Sequence, residues 1–221
     1  MTEGILIINK SQGITSHDVV YRIRRKLKIK KVGHAGTLDP LATGVLVVLL
    51  GKATKLSNQF VSFDKSYRAT LLLGTVTDSA DIDGKVTAQN PYEYLTQEKI
   101  KETIIKFQGE FDQIPPMVSA VKHNGKKLYQ LARKGIVVER SARRVRIDRI
   151  VVENIELPYV KIYVECSKGM YVRQLAADIG EVLGCGACIS QLQRTTVGKF
   201  KLEESVLLEN LDESYIRHWE G

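Results

Sequence analysis

Asp39 is an aspartate in a short segment that contains glycines and a proline, residue types that determine the path of the backbone. It lies in residues 33–44, GHAGTLDPLATG, where three glycines permit tight turns and Pro40 fixes the chain directly after the carboxylate. An entirely apolar stretch follows almost at once, over residues 45–50. Because a carboxylate held beside a buried strand is costly without a partner, this arrangement predicts an aspartate positioned for chemistry. The alternative is a glycine-rich loop that Asp39 merely caps.

Ser16, His17 and Asp18 contain the three residue types of a hydrolytic triad, but they are adjacent in the sequence. A triad brings its members together from separate elements. The pattern is instead typical of a helix start, with Ser16 as the N-cap. We therefore predict no nucleophilic serine here.

Two further groupings contain metal-ligand types. Cys185 and Cys188 form a C-x-x-C, but zinc needs two more ligands, and the strand that precedes a redox motif is missing. Residues 81–84, DIDG, resemble the centre of a calcium loop, yet the closing glutamate would fall on Asn90. A hairpin turn is the better interpretation of these residues, and we predict no metal site.

The stretch GHAGTLDPLATGVL resembles the catalytic motif of pseudouridine synthases, specifically the TruB family, which isomerises uridine 55 in the T loop of tRNA. Other matching stretches lie in order along nearly the whole chain. They are NKSQGITSHDVV, DKSYRATLLLG, TDSADIDG, QIPPMVSAVKHNGKKLYQLARKG, CSKGMYVRQLAADIGEVLGCGAC and LQRTTVGKF. One departure is Lys10-Ser11, where the family commonly has Lys-Pro.

The resemblance implies a role for each matched residue. Asp39 is the catalytic carboxylate, a nucleophile on the ribose or the base. Arg173 is the cation expected to keep it ionised, and Tyr67 stacks on the target base. His34 helps fill the space that the flipped base leaves, and Leu192 lines the pocket. The substrate-binding lysines are expected to be Lys10, Lys122, Lys126 and Lys127.

The resemblance also implies the organisation and the reaction. We expect one catalytic domain over residues 1–221, with a thumb-like insertion at about 109–140 that closes on RNA and without the small C-terminal PUA domain common in bacterial members. The isomerisation conserves atoms and electrons, so no cofactor or metal is expected. Two alternatives stay open: a non-catalytic RNA-binding or tRNA-folding protein, and a hydrolase with an aspartate nucleophile.

Hydrophobic periodicity predicts a mixed α/β (α+β) domain. The resemblance implies the pseudouridine synthase fold, with a central mixed, largely antiparallel sheet flanked by helices. Strands are predicted over residues 4–9, 43–50, 67–76, 85–88, 143–155, 159–166 and 195–202. Helices are predicted from Ser16, from a Thr96 cap towards Gly109, over 171–183 and over 206–219. Gly184 should end the third helix.

Charge points to a polyanionic partner, since 33 lysines and arginines face 25 acidic residues, giving +8. Two clusters carry much of this charge. They are Arg22, Arg24, Arg25, Lys26, Lys28, Lys30 and Lys31, and then Arg140, Arg143, Arg144, Arg146 and Arg149. The two clusters favour RNA or DNA as that partner, and the resemblance implies tRNA, bound through its T stem-loop.

Composition excludes other classes of protein. A hydrophobic fraction of 43% is that of a globular chain, not a disordered or fibrous one. The longest apolar run is strand-sized, and the N-terminus lacks the features of a signal peptide. Three cysteines argue against a disulfide framework. We expect a cytoplasmic monomer that does not bind membranes.

Overall fold

The structure is a computed structural model that describes residues 3–119, 121–123, 125–132 and 134–219. The chain forms two compact units. The first unit contains residues 1–68 and 192–221, and the second unit contains residues 69–191.

Strands dominate the described residues. They are β1 (Gly4–Lys10), β2 (Val32–Ala35), β3 (Thr43–Leu50), β4 (Lys65–Leu73), β5 (Thr75–Thr77), β6 (Val86–Gln89), β7 (Gly109–Gln113), β8 (Lys122–His123), β9 (Lys126–Lys127), β10 (Arg143–Glu156), β11 (Tyr159–Cys166), β12 (Ala187–Val197) and β13 (Phe200–Lys201). The α-helices are α1 (Ser16–Lys26), α2 (Ser57–Val61), α3 (Gln97–Ile105), α4 (Leu128–Ala132) and α5 (Val172–Leu183).

The strands hydrogen-bond in the order β1-β3-β12-β4-β11-β10-β7, with β2 beside β3 and β13 beside β12. β3 is antiparallel to β1 and β2 and parallel to β12. In the second unit, β10 is antiparallel to both β11 and β7. The sheet is therefore mixed and largely antiparallel, as the sequence predicts.

β3 is the centre of the first unit. Its apolar residues alternate between two faces, and both faces are buried because β3 has strands on either side and packing above and below. On one face, Val45, Val47 and Leu49 pack with Phe60 and Phe200. The loop that enters β3 is thus anchored to the most buried strand of this unit.

Several predicted elements match closely. The strands at 43–50 and 159–166 have the expected bounds. Thr96 caps α3, and α5 ends at Gly184, whose φ of 82° is the left-handed conformation that suits glycine. The first helix is shifted by one residue, because Thr15 is its N-cap and forms a capping box with Asp18.

The helix predicted over residues 206–219 is wrong. Those described residues lie along the free edge of β1 instead, with bridges from Val206 to Ile8 and from Arg217 to Ile5. Only Glu213–Tyr215 forms a helical turn there, of the 3₁₀ type. Pairing with a distant strand has outweighed the local helical spacing of the apolar residues.

The predicted insertion at 109–140 begins within the sheet, since β7 pairs with residues 143–147 of β10. Beyond β7, the strands β8 and β9 form a hairpin in which Lys122 pairs with Lys127. Asn124, between β8 and β9 in the sequence, lies outside the described residues.

No helix among the described residues is long and apolar enough to span a bilayer.

Candidate active site

The loop that carries Asp39 connects β2 to β3 in the first unit. The chain leaves β2 through Gly36, whose φ of 80° would strain any other residue, and enters β3 beside Gly44. A Cβ on Gly44 would lie 2.2 Å from the carbonyl oxygen of Arg194, so β12 approaches β3 here at a distance only glycine allows. Asp39 itself is half-buried at the middle of this loop.

The start of α1 holds the loop on both sides of Asp39. The Ser16 hydroxyl donates to the carbonyl of Leu38 at 3.0 Å and accepts from the Leu38 N–H at 2.8 Å. The Gly13 N–H donates to the carbonyl of Pro40 at 2.9 Å. The residues before and after Asp39 are therefore fixed, which limits the positions its carboxylate can reach.

Lys10 is fully buried at the end of β1, with 0% of its surface exposed. Its ammonium donates to the carbonyls of Ser11 (3.0 Å), Ile14 (2.8 Å) and Pro40 (3.3 Å). Burial lowers its pKa to about 8, and the negative charge of Asp39 partly opposes that shift. Lys10 is thus a support of the Asp39 loop, and the substrate-binding role that the resemblance gives it stays a prediction.

Arg194 supports the loop from the other side. It is 1% exposed, and its guanidinium donates to the carbonyls of Val45 (2.7 Å) and Gly36 (2.9 Å), which lie at the two ends of the loop. Its positive charge also contributes to the low pKa of Lys10. Sequence reasoning missed this residue, although it lies in the matched stretch LQRTTVGKF.

Tyr67, His34 and Leu192 also belong to the first unit. Tyr67 is buried in β4, Leu192 is buried in β12, and His34 is half-buried in β2, the strand that leads into the Asp39 loop. β4 and β12 are neighbours in the sheet. The roles that the resemblance gives these three residues stay predictions.

Arg173 lies at the start of α5 in the second unit and is 3% exposed. Its guanidinium is 3.2 Å from the carboxylate of Asp81 and donates to the carbonyls of Ser79 (2.7 Å) and Val118 (2.8 Å). An arginine near a helix N-terminus opposes the helix dipole, and here Asp81 compensates for it. The pairing of Arg173 with Asp39 stays a prediction.

The sequence predicts a hairpin turn at Asp81, and Asp81 lies in the connection between the paired strands β5 and β6. Its carboxylate also accepts hydrogen bonds from the Ser79 hydroxyl (2.7 Å) and the Asp83 N–H (3.2 Å). Asp81 and Arg173 therefore form a buried ion pair within the second unit. The turn motif gave no sign of it, since the partner lies 92 residues further along the chain.

The predicted thumb residues are described only in part. Lys126 is exposed in β9, whereas the side chains of Lys122 and Lys127 lie outside the described residues.

Cys185 and Cys188 are buried free thiols. Burial raises the pKa of both, that of Cys188 to about 11, and the charge of Asp81 adds to the effect on Cys188. Thiols in this state react weakly as nucleophiles.

Comparison with known families defines the class of this protein as a pseudouridylate synthase. Residues 24–172 match the model of the TruB family pseudouridylate synthase (N terminal domain), and residues 173–220 match the model of the tRNA pseudouridylate synthase B C-terminal domain. The chain therefore belongs to the TruB family, and the family predicted from the sequence is confirmed.

Curated relatives match along almost the whole chain. A tRNA pseudouridine synthase B of Endomicrobium trichonymphae is 48% identical over 95% of this chain and 91% of its own length. One of Clostridium kluyveri is 49% identical over 97% of this chain and 74% of its own.

Solved structures share the fold. A chain of a Cbf5-Nop10-Gar1 complex matches with a TM-score of 0.74 and 34% identity, over 94% of this chain and 53% of that one. A chain of an H/ACA RNP bound to a substrate RNA containing 2'-deoxyuridine matches with a TM-score of 0.70 and 30% identity, over 94% and 52%. The chain spans about half the length of these solved chains.

Proposed function

We propose that this protein isomerises uridine to pseudouridine in the T loop of tRNA, at position 55. The observation that carries the proposal is the Asp39 loop, in which the matched catalytic carboxylate is held by hydrogen bonds to the residues on either side of it. The curated relatives named tRNA pseudouridine synthase B support tRNA as the substrate.

The reaction needs one nucleophile and no net change in atoms or electrons. The glycosidic bond between the ribose C1′ and the uracil N1 breaks, the uracil turns, and C1′ bonds to C5. The hydrogen on C5 is lost, and N1 gains a proton. Asp39 acts as the nucleophile, on either the ribose or the base, and leaves unchanged at the end.

A uridine within a structured loop must leave the base stack before Asp39 can reach it. In this proposal, Tyr67 stacks on the flipped base, Leu192 lines its pocket, and His34 helps fill the space it leaves. Arg173 completes the catalytic set as a cation, and Lys122, Lys126 and Lys127 of the thumb contact the RNA. The enzyme acts as a monomer in the cytoplasm.

The experiment is Asp39→Asn in the full chain, assayed by single-turnover formation of pseudouridine in an unmodified tRNA transcript. We expect activity to be abolished and the Kd for tRNA to stay within roughly tenfold, about 1.4 kcal/mol. One carboxylate performs the chemistry, whereas many basic groups hold the phosphates.

Glu203→Gln, which removes one exposed carboxylate, is the matched control and should keep wild-type activity. Retention of a few per cent of the wild-type rate in Asp39→Asn would remove Asp39 from the nucleophile role. A wild-type protein that binds tRNA without modifying it would favour the non-catalytic alternative.

A further inference from the structure

The two basic clusters found in the sequence differ in their surroundings. The basic stretch, residues 22–31, reads RIRRKLKIKK and contains seven basic and no acidic residues. The arginine cluster, residues 140–149, reads RSARRVRIDR and includes Asp148. The basic stretch therefore has a net charge of +7 and the arginine cluster one of +4, and the structure separates them further.

The basic stretch is exposed and without ion pairs. All seven of its basic residues are exposed, and across the described part of the chain none lies within ion-pair distance of a carboxylate. Arg24 donates to the Val32 carbonyl, and Lys26 donates to two carbonyls near the C-terminus. Five cationic groups remain that donate to no protein acceptor in the described structure: Arg22, Arg25, Lys28, Lys30 and Lys31.

The arginine cluster is largely engaged with protein groups. Arg144 lies 3.3 Å from Glu110 and 3.7 Å from Asp112 of the neighbouring strand β7. Arg146 lies 2.7 Å from Asp148, and Arg140 donates to the carbonyl of Pro115. These contacts engage three of the five arginines and reduce the local positive charge, so this cluster is a weaker attractor of phosphates than the basic stretch. Arg143 and Arg149 are exposed and form no ion pair among the described residues.

The basic stretch also connects two elements that adjoin the Asp39 loop. α1 begins where Ser16 bonds to Leu38, and β2 leads into the loop at Gly36. At a rise of about 1.5 Å per residue, Arg22 and Arg25 lie roughly 9 and 14 Å along the helix from Ser16. These distances correspond to about three to four stacked nucleotides. The two cations can therefore meet phosphates of the RNA whose uridine occupies the site.

We propose that the basic stretch 22–31 is the surface of the first unit that binds the phosphate backbone of the substrate RNA, and that the arginine cluster is not. The inference rests on the proposed function. Phosphates displace condensed counterions when they meet such free cations, and this supplies affinity without reading sequence. The guanidinium of Arg25 also lies 5.8 Å from the centre of the exposed ring of Tyr21, on the same helix.

The test compares two double variants of equal charge. Arg22→Gln/Arg25→Gln and Arg144→Gln/Arg146→Gln each lower the net charge from +8 by two. Glutamine preserves helix propensity in α1, and the ion pairs that the control breaks are exposed and contribute little to stability. Thermal unfolding checks that both fold. The Kd for an unmodified tRNA transcript is then measured at several salt concentrations.

For Arg22→Gln/Arg25→Gln we expect the slope of log affinity against log salt to flatten by about 1.4 to 1.8, since each lost phosphate contact removes about 0.7 to 0.9. The control should change by less than about half a unit. Equal changes in both variants, or none in the first, would overturn the inference. Failure of the wild type to form pseudouridine is a separate result, which would overturn the proposed function instead.

Discussion

Two buried arginines, one in each unit, illustrate different uses of the same side chain. Arg194 is 1% exposed, and its hydrogen-bond acceptors are the carbonyls of Gly36 and Val45. Arg173 is 3% exposed and adds the carboxylate of Asp81 to its carbonyl acceptors. Arg194 therefore fixes the path of the backbone, whereas Arg173 forms a buried ion pair.

The difference decides what a mutation leaves behind. Removing Arg194 leaves two carbonyls without a donor, and each costs about 1–3 kcal/mol if water cannot reach it. Removing Arg173 leaves a buried negative charge, which costs more than the ion pair itself contributes. We expect the second unit to lose more stability from this change than the first unit does from its own.

The largest effect is expected for Arg173→Ala. The unpaired Asp81 should lower the free energy of unfolding by about 3–5 kcal/mol, measured by urea denaturation. The double variant Arg173→Ala/Asp81→Ala should be more stable than the sum of the two single variants predicts, because it removes both charges. Strict additivity would show that the ion pair contributes nothing. We also expect Arg173→Lys to restore little, since an ammonium lacks the planar fork.

Arg194→Ala should have a smaller effect on stability, about 2–3 kcal/mol, because its two acceptors are uncharged and water that enters the space left by the side chain can replace part of the lost bonding. Its effect on catalysis should be a fall in kcat with little change in KM, since the Asp39 loop loses the group that joins its two ends. Arg194→Lys should recover stability more fully than it recovers kcat, because one ammonium cannot bond both carbonyls with the same geometry. A rise in KM alone would contradict this positioning role.

The smallest effect concerns Lys10, whose pKa in the folded protein is about 8, below its ordinary 10.5. Between these pH values the unfolded chain binds more protons, so stability gains from this residue as pH rises from 8 to 10.5. The wild type should therefore gain stability relative to Lys10→Met as pH rises across that window. The gain should be on the order of 1 kcal/mol after allowing for screening by water. Denaturant unfolding at four pH values measures it.

Asp39→Asn supplies the control for this shift. Because the charge of Asp39 raises the pKa of Lys10 in the folded protein, its loss should move the lower end of the window to lower pH and leave the upper end unchanged. An unchanged window would mean that the two groups do not interact.

The sequence predicts the elements whose signals are local. β3 is a continuous apolar run, β11 alternates, and α5 has both helical spacing and a terminal glycine, so their bounds agree with the structure to within a residue. Asp39 could be chosen because glycine, proline and an apolar strand surround it within twelve residues.

The supports of Asp39 could not be predicted, because nothing near them in the sequence signals burial. Lys10 and Arg194 are residue types usually found at the surface, and each is buried because its cation meets carbonyl oxygens from distant segments. The prediction of a helix over residues 206–219 failed for the same reason. Their apolar spacing suits a helix, but the open edge of β1 offers backbone partners that no local pattern shows.

The bond from Arg194 to Gly36 joins positions 158 residues apart in the chain. During synthesis at about 5–20 residues per second, the segment that carries Asp39 exists for roughly 8–30 seconds before Arg194 has been made. A nascent chain therefore contains Asp39 early but closes the loop around it late. Catalytic competence should appear abruptly once Arg194 has left the ribosome, so that shorter chains released before that point contain the whole Asp39 motif and yet do not modify RNA.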